Sequence, residues 1–348
     1  MDRPQTIKGR GAADSPQGRF ERLARSREAE IRSRPDTVVT LQQARSIIAR
    51  NDSPDLPFSQ SINPYQGCEH GCIYCYARPS HAYLGLSPGL DFETRIFAKE
   101  NAAELLRKEL SRPDYRCELI ALGANTDPYQ PAERKHRITR DILEVLWEFR
   151  NPVGIVTKGS LIERDLDVLQ PMAREGLVQV FISIGSLDGE IARTLEPRAA
   201  APFRRVETIR RLSGSGVPCG VLVAPIIPFL NDKDMEAVLE AVSEAGARMA
   251  GYTVLRLPWE VKDLFKDWLE RHYPLKAKHV MARIRDMRGG RENDPNFGSR
   301  MKGEGQFAEL LRDRFEIACK RLGLNAEKRK LLDASKFRRP GPQQGALF

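Results

Sequence analysis

Three cysteines fall within one short run, Gly67-Cys68-Glu69-His70-Gly71-Cys72-Ile73-Tyr74-Cys75-Tyr76. Their close spacing in a glycine-broken loop gathers thiolates on a metal centre more readily than it forms disulfides. Two centres fit these ligands. A structural zinc ion takes four ligands in a tetrahedron, and His70 or His81 would be the fourth. An iron–sulfur cluster held by three cysteines leaves one iron open, and an open iron is what chemistry requires. Tyr74, just before the third cysteine, is placed to pack over a planar cofactor. Cys117, Cys219 and Cys319 stand among apolar residues, the usual setting of an unreactive core thiol.

The loop must be positioned by the elements around it. A short extended run at residues 58–63, bracketed by Pro54, Pro57 and Pro64, delivers the chain to the first cysteine. Apolar runs at 117–123, 153–157, 177–184, 217–224 and 252–257 read as further buried strands. Between them lie segments of helical period at 101–110, 139–149, 160–169, 202–212 and 231–245, with Asn101/Glu104 and Ser160/Glu163 as capping boxes. Six strands alternating with helices mean βα units and a parallel sheet. A doubly wound sheet and a partial barrel both satisfy the alternation, and in either the function gathers at the C-terminal ends of the strands. Those ends carry the unusual polar residues: the cysteine loop, then Asn125-Thr126-Asp127-Pro128-Tyr129-Gln130, then Thr157-Lys158-Gly159, then Ser183 and Ser186. Outside this core, 40–49, 260–288 and 305–322 read as helices, with a basic helix opening at Phe20–Arg25.

Of the 348 residues, 41% are hydrophobic, enough for a sizeable core. No apolar run approaches the ~20 residues of a membrane span, and the N-terminus lacks the apolar stretch of a signal peptide. The expectation is a cytoplasmic protein, where free thiols persist. The net charge of +9 is uneven: residues 1–50 hold 11 Lys/Arg against 6 Asp/Glu, and residues 283–348 hold 16 against 9. A near-neutral middle between basic ends suits a polyanionic partner, nucleic acid first.

The Cys-x3-Cys-x2-Cys run with Tyr74 before its last cysteine, at the end of a first strand, resembles the radical S-adenosylmethionine superfamily. The resemblance covers roughly residues 58–258 and implies a partial (βα)6 TIM-type barrel with helical N- and C-terminal extensions. It also implies that Cys68, Cys72 and Cys75 hold a [4Fe–4S] cluster whose open iron chelates S-adenosylmethionine. An external electron donor then reduces the cluster, and the cofactor is cleaved to methionine and a 5′-deoxyadenosyl radical. The runs 63–72 and 125–133 resemble the spore-photoproduct-lyase-like, or DNA repair photolyase-like, branch. Carried over, Thr126 and Asp127 face the methionine amino group, Lys158 its carboxylate, and Ser183 the ribose. Glu196 and Arg198 stand at the rim of the substrate or cofactor.

One departure is plain. Spore photoproduct lyase uses a cysteine at the end of its second strand as hydrogen-atom donor, where this chain has Gly123-Ala124-Asn125-Thr126. The resemblance therefore implies radical generation more firmly than a substrate. DNA is the first expectation, a protein or small molecule the second, and a zinc-dependent nucleic-acid-binding module the non-enzymatic alternative. The expected organisation is a basic, partly disordered extension (1–57), the core (58–258), a helical region (259–324) and a basic disordered tail (325–348). That tail ends in Gln344-Gly345-Ala346-Leu347-Phe348, a match to the Q-x-x-L-F peptides that bind bacterial sliding clamps.

Overall fold

The computed structural model describes residues 6–20, 35–326 and 332–340. Its strands are β1 (Val38–Gln42), β2 (Ile48–Arg50), β3 (Gln60–Ile62), β4 (Tyr65–Gln66), β5 (Arg95–Lys99), β6 (Ile120–Leu122), β7 (Val153–Thr157), β8 (Val178–Ser183), β9 (Cys219–Ile226) and β10 (Met249–Val254). The main sheet has the order β10-β9-β8-β7-β6-β3-β2, and β1, β5 and β4 form a smaller one. From β3 to β10 every pairing in the main sheet is parallel, and each strand lies beside the preceding strand of that sheet. A doubly wound sheet reverses its order part-way, whereas a barrel does not. The six parallel strands are thus the walls of a partial barrel, open between β10 and the antiparallel edge strand β2.

Burial explains why these runs became strands. Val153, Ile155, Val178, Val180, Ile182, Val221 and Val223 are almost completely enclosed, as expected for a parallel sheet with both faces covered. The helices Ile138–Glu148, Leu166–Arg174, Pro202–Gly214 and Met235–Glu244 each place their buried apolar stripe into the same continuous core.

Several expectations are corrected. Residues 40–49 are not a helix: the segment contributes β1, which pairs with β5, and β2, which pairs with β3. Partners more than fifty residues away outweigh the local helix propensity of Leu41-Gln42-Gln43-Ala44. The last core strand is Met249–Val254 rather than 252–257. The stretch 260–288 is two helices, Val261–His272 and Pro274–Asp286, divided where a proline starts the second. Neither capping box forms. Asn101 instead exchanges hydrogen bonds with the backbone of Ala44, and Glu163 binds Arg204, Arg211 and Thr208.

The N-terminal residues 6–20 pack on the protein, and so does 332–340 of the tail expected to be disordered. Phe337 lies 5.4 Å from the Tyr115 ring, and Arg338 N–H donates to Phe149 O at 3.0 Å. Residues 21–25 of the basic helix expected from Phe20, and the clamp-like Gln344–Phe348 run, lie outside the described residues. Among the described residues no helix is long and apolar enough to cross a membrane.

Candidate active site

The cysteine loop leaves β4 and is held from below by a buried arginine. Arg78 is fully enclosed, and all three of its nitrogens are engaged. Nε donates to Cys72 O at 2.8 Å, Nη1 to Pro88 O and Gly89 O at 3.0 and 2.9 Å, and Nη2 to Gly71 O at 3.1 Å and Glu93 Oε1 at 2.5 Å. Glu93 in turn accepts from the N–H groups of Gly11 and Ala12 at 3.0 and 2.8 Å, drawing the N-terminal arm over the loop. A Cβ on Gly11 would lie 1.9 Å from Gly71 O, inside any allowed contact. Gly11→Ala is therefore expected to lift the arm off the loop. Backbone amides of residues 7–16 should lose hydrogen-exchange protection while those of β7 and β8 keep theirs, and unchanged protection at 7–16 would refute the contact.

A second brace grips the loop from the side. Thr126 Oγ1 donates to Gly67 O at 2.7 Å, and Gln130 Nε2 reaches the same carbonyl at 3.2 Å while its Oε1 accepts from Glu69 N at 2.9 Å. Sequence reasoning quoted Gln130 only as part of a motif. Its place in the polar run that follows β6 was the available signal.

The three thiols are buried or nearly so and unbridged, and Cys68 feels both Cys72 and Cys75 in addition to Asp127. Burial pushes the Cys72 thiol up to about 12, although the Lys158 ammonium opposes the shift. Burial likewise raises Cys75, against the N–H groups of Ala77 and Arg78 that point at its sulfur; the His70 N–H does the same for Cys68. Protonated when alone yet surrounded by donors for a thiolate, these groups suit ligands whose protons leave when metal arrives. Among the described residues no three His, Cys, Asp or Glu side chains close around a single metal ion. His81, one candidate for a fourth zinc ligand, has its Nε2 3.0 Å from Arg95 O and its ring edge-on to Phe92. The donor set fits a larger thiolate-bound group, an iron–sulfur cluster.

Around the thiols stand the other residues singled out by sequence. The Tyr74 hydroxyl donates to Glu196, and Glu196 pairs with Arg205, which also donates to Ser183 O at 2.8 Å and Ala200 O at 2.6 Å. Tyr74, Glu196, Arg205 and Ser183 are all buried. Burial favours the protonated form of Glu196, but the Arg205 and Lys158 charges outweigh it and hold the carboxyl below its ordinary range. Lys158 lies 5.7 Å from the Tyr74 ring centroid; burial works to discharge it, yet Cys72 and Glu196 raise it further. Ser183 Oγ donates to Ala224 O at 3.1 Å, joining the ends of β8 and β9. Arg198 binds Glu69 at 2.9 Å.

Asp127 ties two strand ends together. Its carboxylate accepts from Thr157 Oγ1 at 2.6 Å, Lys158 N at 2.8 Å and Tyr129 N at 2.9 Å, with His70 Nδ1 3.3 Å away. Burial would raise its pKa, but His70 and these donors carry it well below the usual 3.8. A carboxylate depressed in the folded state contributes stability above its unfolded pKa and loses it as pH falls through the folded value. Acidification below pH 3.8 should therefore lower the melting temperature more steeply in the native protein than in Asp127→Asn; parallel curves would contradict this role.

Arg78, Glu93 and Arg205 were missed because a charged residue in the sequence carries no mark of being enclosed.

The profile of the radical SAM superfamily matches residues 62–242. The chain belongs to this superfamily. It is an enzyme, and membership implies S-adenosylmethionine and an iron–sulfur cluster, so the zinc-binding-module alternative falls away. An uncharacterized protein of Mycobacterium tuberculosis is 37% identical over 256 residues, covering 72% of this chain and 74% of the relative. One from Methanocaldococcus jannaschii is 26% identical over 213 residues, covering 61% and 76%. Among solved structures, spore photoproduct lyase in complex with dinucleoside spore photoproduct superposes with a TM-score of 0.60 at 17% identity, covering 82% of this chain and 80% of that one. The radical SAM enzyme described here therefore shares that fold.

Proposed function

We propose that this enzyme cleaves S-adenosylmethionine reductively at a [4Fe–4S] cluster and directs the resulting 5′-deoxyadenosyl radical at a nucleic acid, in repair or modification. The observation that carries the reading is three unbridged thiols from one loop at the C-terminal rim of the barrel, two buried and one half-buried, with Lys158 5.7 Å from the ring of Tyr74 between them. In this reading Cys68, Cys72 and Cys75 hold the cluster. Lys158 receives the carboxylate of the methionine moiety, as a compact cation suits. Thr126 and Asp127 stand at its amino group, Asp127 being kept anionic by its protein donors. Ser183 lies toward the ribose and Arg198 at the rim.

Tyr74, fixed by Glu196, closes the side of the site against the C-terminal helices. Cys72, Ile73 and Tyr74 share one apolar cluster with Leu257, Phe265, Trp268 and Ile284, so water is kept from the reacting groups. The basic termini support a nucleic-acid substrate, as does the shared fold with spore photoproduct lyase, one solved form of which holds S-adenosylmethionine and dinucleoside spore photoproduct. Six unbridged cysteines suit the reducing cytoplasm.

The test is anaerobic reconstitution with iron and sulfide, then dithionite as electron donor and S-adenosylmethionine. A brown protein that releases 5′-deoxyadenosine is expected. A cluster-loaded protein that leaves S-adenosylmethionine intact would overturn the proposal.

A further inference from the structure

Beside the thiols, and separate from them, a cavity of about 510 Å³ opens among the loops that follow β6, β7 and β8. Four arginines line it, Arg134, Arg164, Arg198 and Arg204, together with His70, and none of its lining residues is Asp or Glu. The carboxylates that pair with these arginines lie behind the wall. Glu69 takes Arg198 at 2.9 Å, Glu163 takes Arg204 at 2.7 Å, and Glu133 and Asp165 take Arg164, each at 2.8 Å.

This arrangement fixes the guanidinium planes and leaves donors open unevenly: Arg164 spends most of its donors on Glu133 and Asp165, Arg204 binds Glu163 and Thr208, and Arg198 stays the most open of the three. A guanidinium has five N–H groups, and the only side-chain hydrogen bond of Arg198 among the described residues goes to Glu69. Glu69, Glu133 and Asp165 are themselves buried, so Arg164 and Arg198 are anchored from the interior, and Arg198 keeps the N–H groups that Glu69 does not take. Arg134 is exposed at the mouth. Planar, pre-oriented guanidinium groups converging on a space free of carboxylates match phosphate oxygens, which they bind in a bidentate manner.

The cavity also communicates with the reaction site through His70, which lines it while its Nδ1 faces Asp127. A ligand seated on the arginines is thereby held beside the cysteine loop.

We infer that this cavity binds phosphate groups of the polynucleotide backbone and sets the register of the strand relative to the thiol loop. The inference rests on the nucleic-acid reading above and adds to it the place where the backbone is gripped.

The experiment uses the full chain, reconstituted with its cluster, and fluorescence anisotropy with a labelled 20-nucleotide DNA, single-stranded and duplex, from 50 to 200 mM salt. Arg134→Gln and Arg204→Gln are the variants, and Arg312→Gln, exposed on the C-terminal helix, is the control. Each cavity variant should weaken binding and reduce the slope of log affinity against log salt by about 0.7 for single strands or 0.9 for duplex, while the control leaves the slope unchanged. Release of 5′-deoxyadenosine without DNA should be the same in all four proteins. If the wild type binds DNA and both cavity variants bind it with unchanged affinity and slope, the inference is wrong and the nucleic-acid reading survives. If the wild type binds no DNA, that reading falls and this inference falls with it.

Discussion

Cys72→Ala is expected to abolish cluster content and 5′-deoxyadenosine release together, in a protein that still folds. The thiol makes no bridge and packs in the apolar cluster with Ile73 and Tyr74, so truncation removes one sulfur from a site that alanine also fills. Free buried cysteine behaves as a small hydrophobe, and the loss should cost about 1–2 kcal/mol of stability. Its chemical role has no substitute. Iron analysis, absorbance near 400 nm and product assay on the reconstituted variant check the prediction, with thermal melting as the folding control. A folded variant that retains product would show that Cys72 is not a ligand.

The same loop shows how much of this enzyme is legible in its sequence. Cysteine spacing is a one-dimensional signal, and it singled out the cysteine loop without any fold. Buried parallel strands are nearly as readable: Val153–Thr157 appears with the bounds that its apolar run suggests, because both faces of β7 are covered and no competing pattern intervenes. Residues 40–49 misled because helix-forming side chains sat in a segment whose structure is dictated by β5 and β3. Asn101 misled for a related reason, since a polar side chain near a helix start serves whichever backbone comes closest, here that of Ala44. Of the ionic partners around the loop, Glu196 was singled out but its pairing was not, and Arg78, Glu93 and Arg205 could not be read. Arg78 with Glu93 and Arg205 with Glu196 are pairs in which nothing but enclosure turns an ordinary surface charge into an anchor.

That enclosure makes Arg78→Met the most disruptive single change expected away from the thiols. Arg78 and Glu93 are both fully buried and form a 2.5 Å ion pair. Breaking a buried pair from one side typically costs about 3–5 kcal/mol, because the remaining charge is left uncompensated. Here the carbonyls of Gly71, Cys72, Pro88 and Gly89 also lose their donor. Lysine is no rescue, since a single ammonium cannot reproduce a planar fork spanning five acceptors. Removing the partner charge as well should help: Glu93→Gln with Arg78→Met is expected to be less destabilised than the sum of the single variants, a coupling that a double-mutant cycle measures directly. The consequence for chemistry follows from position. Arg78 fixes the carbonyls of Gly71 and Cys72, so the loop that must present three sulfurs in one arrangement loses its support. Iron bound per chain after reconstitution should therefore fall in Arg78→Met even at temperatures where the barrel remains folded by circular dichroism. Wild-type iron content and melting temperature in that variant would show that the thiol loop holds its shape without the buried arginine.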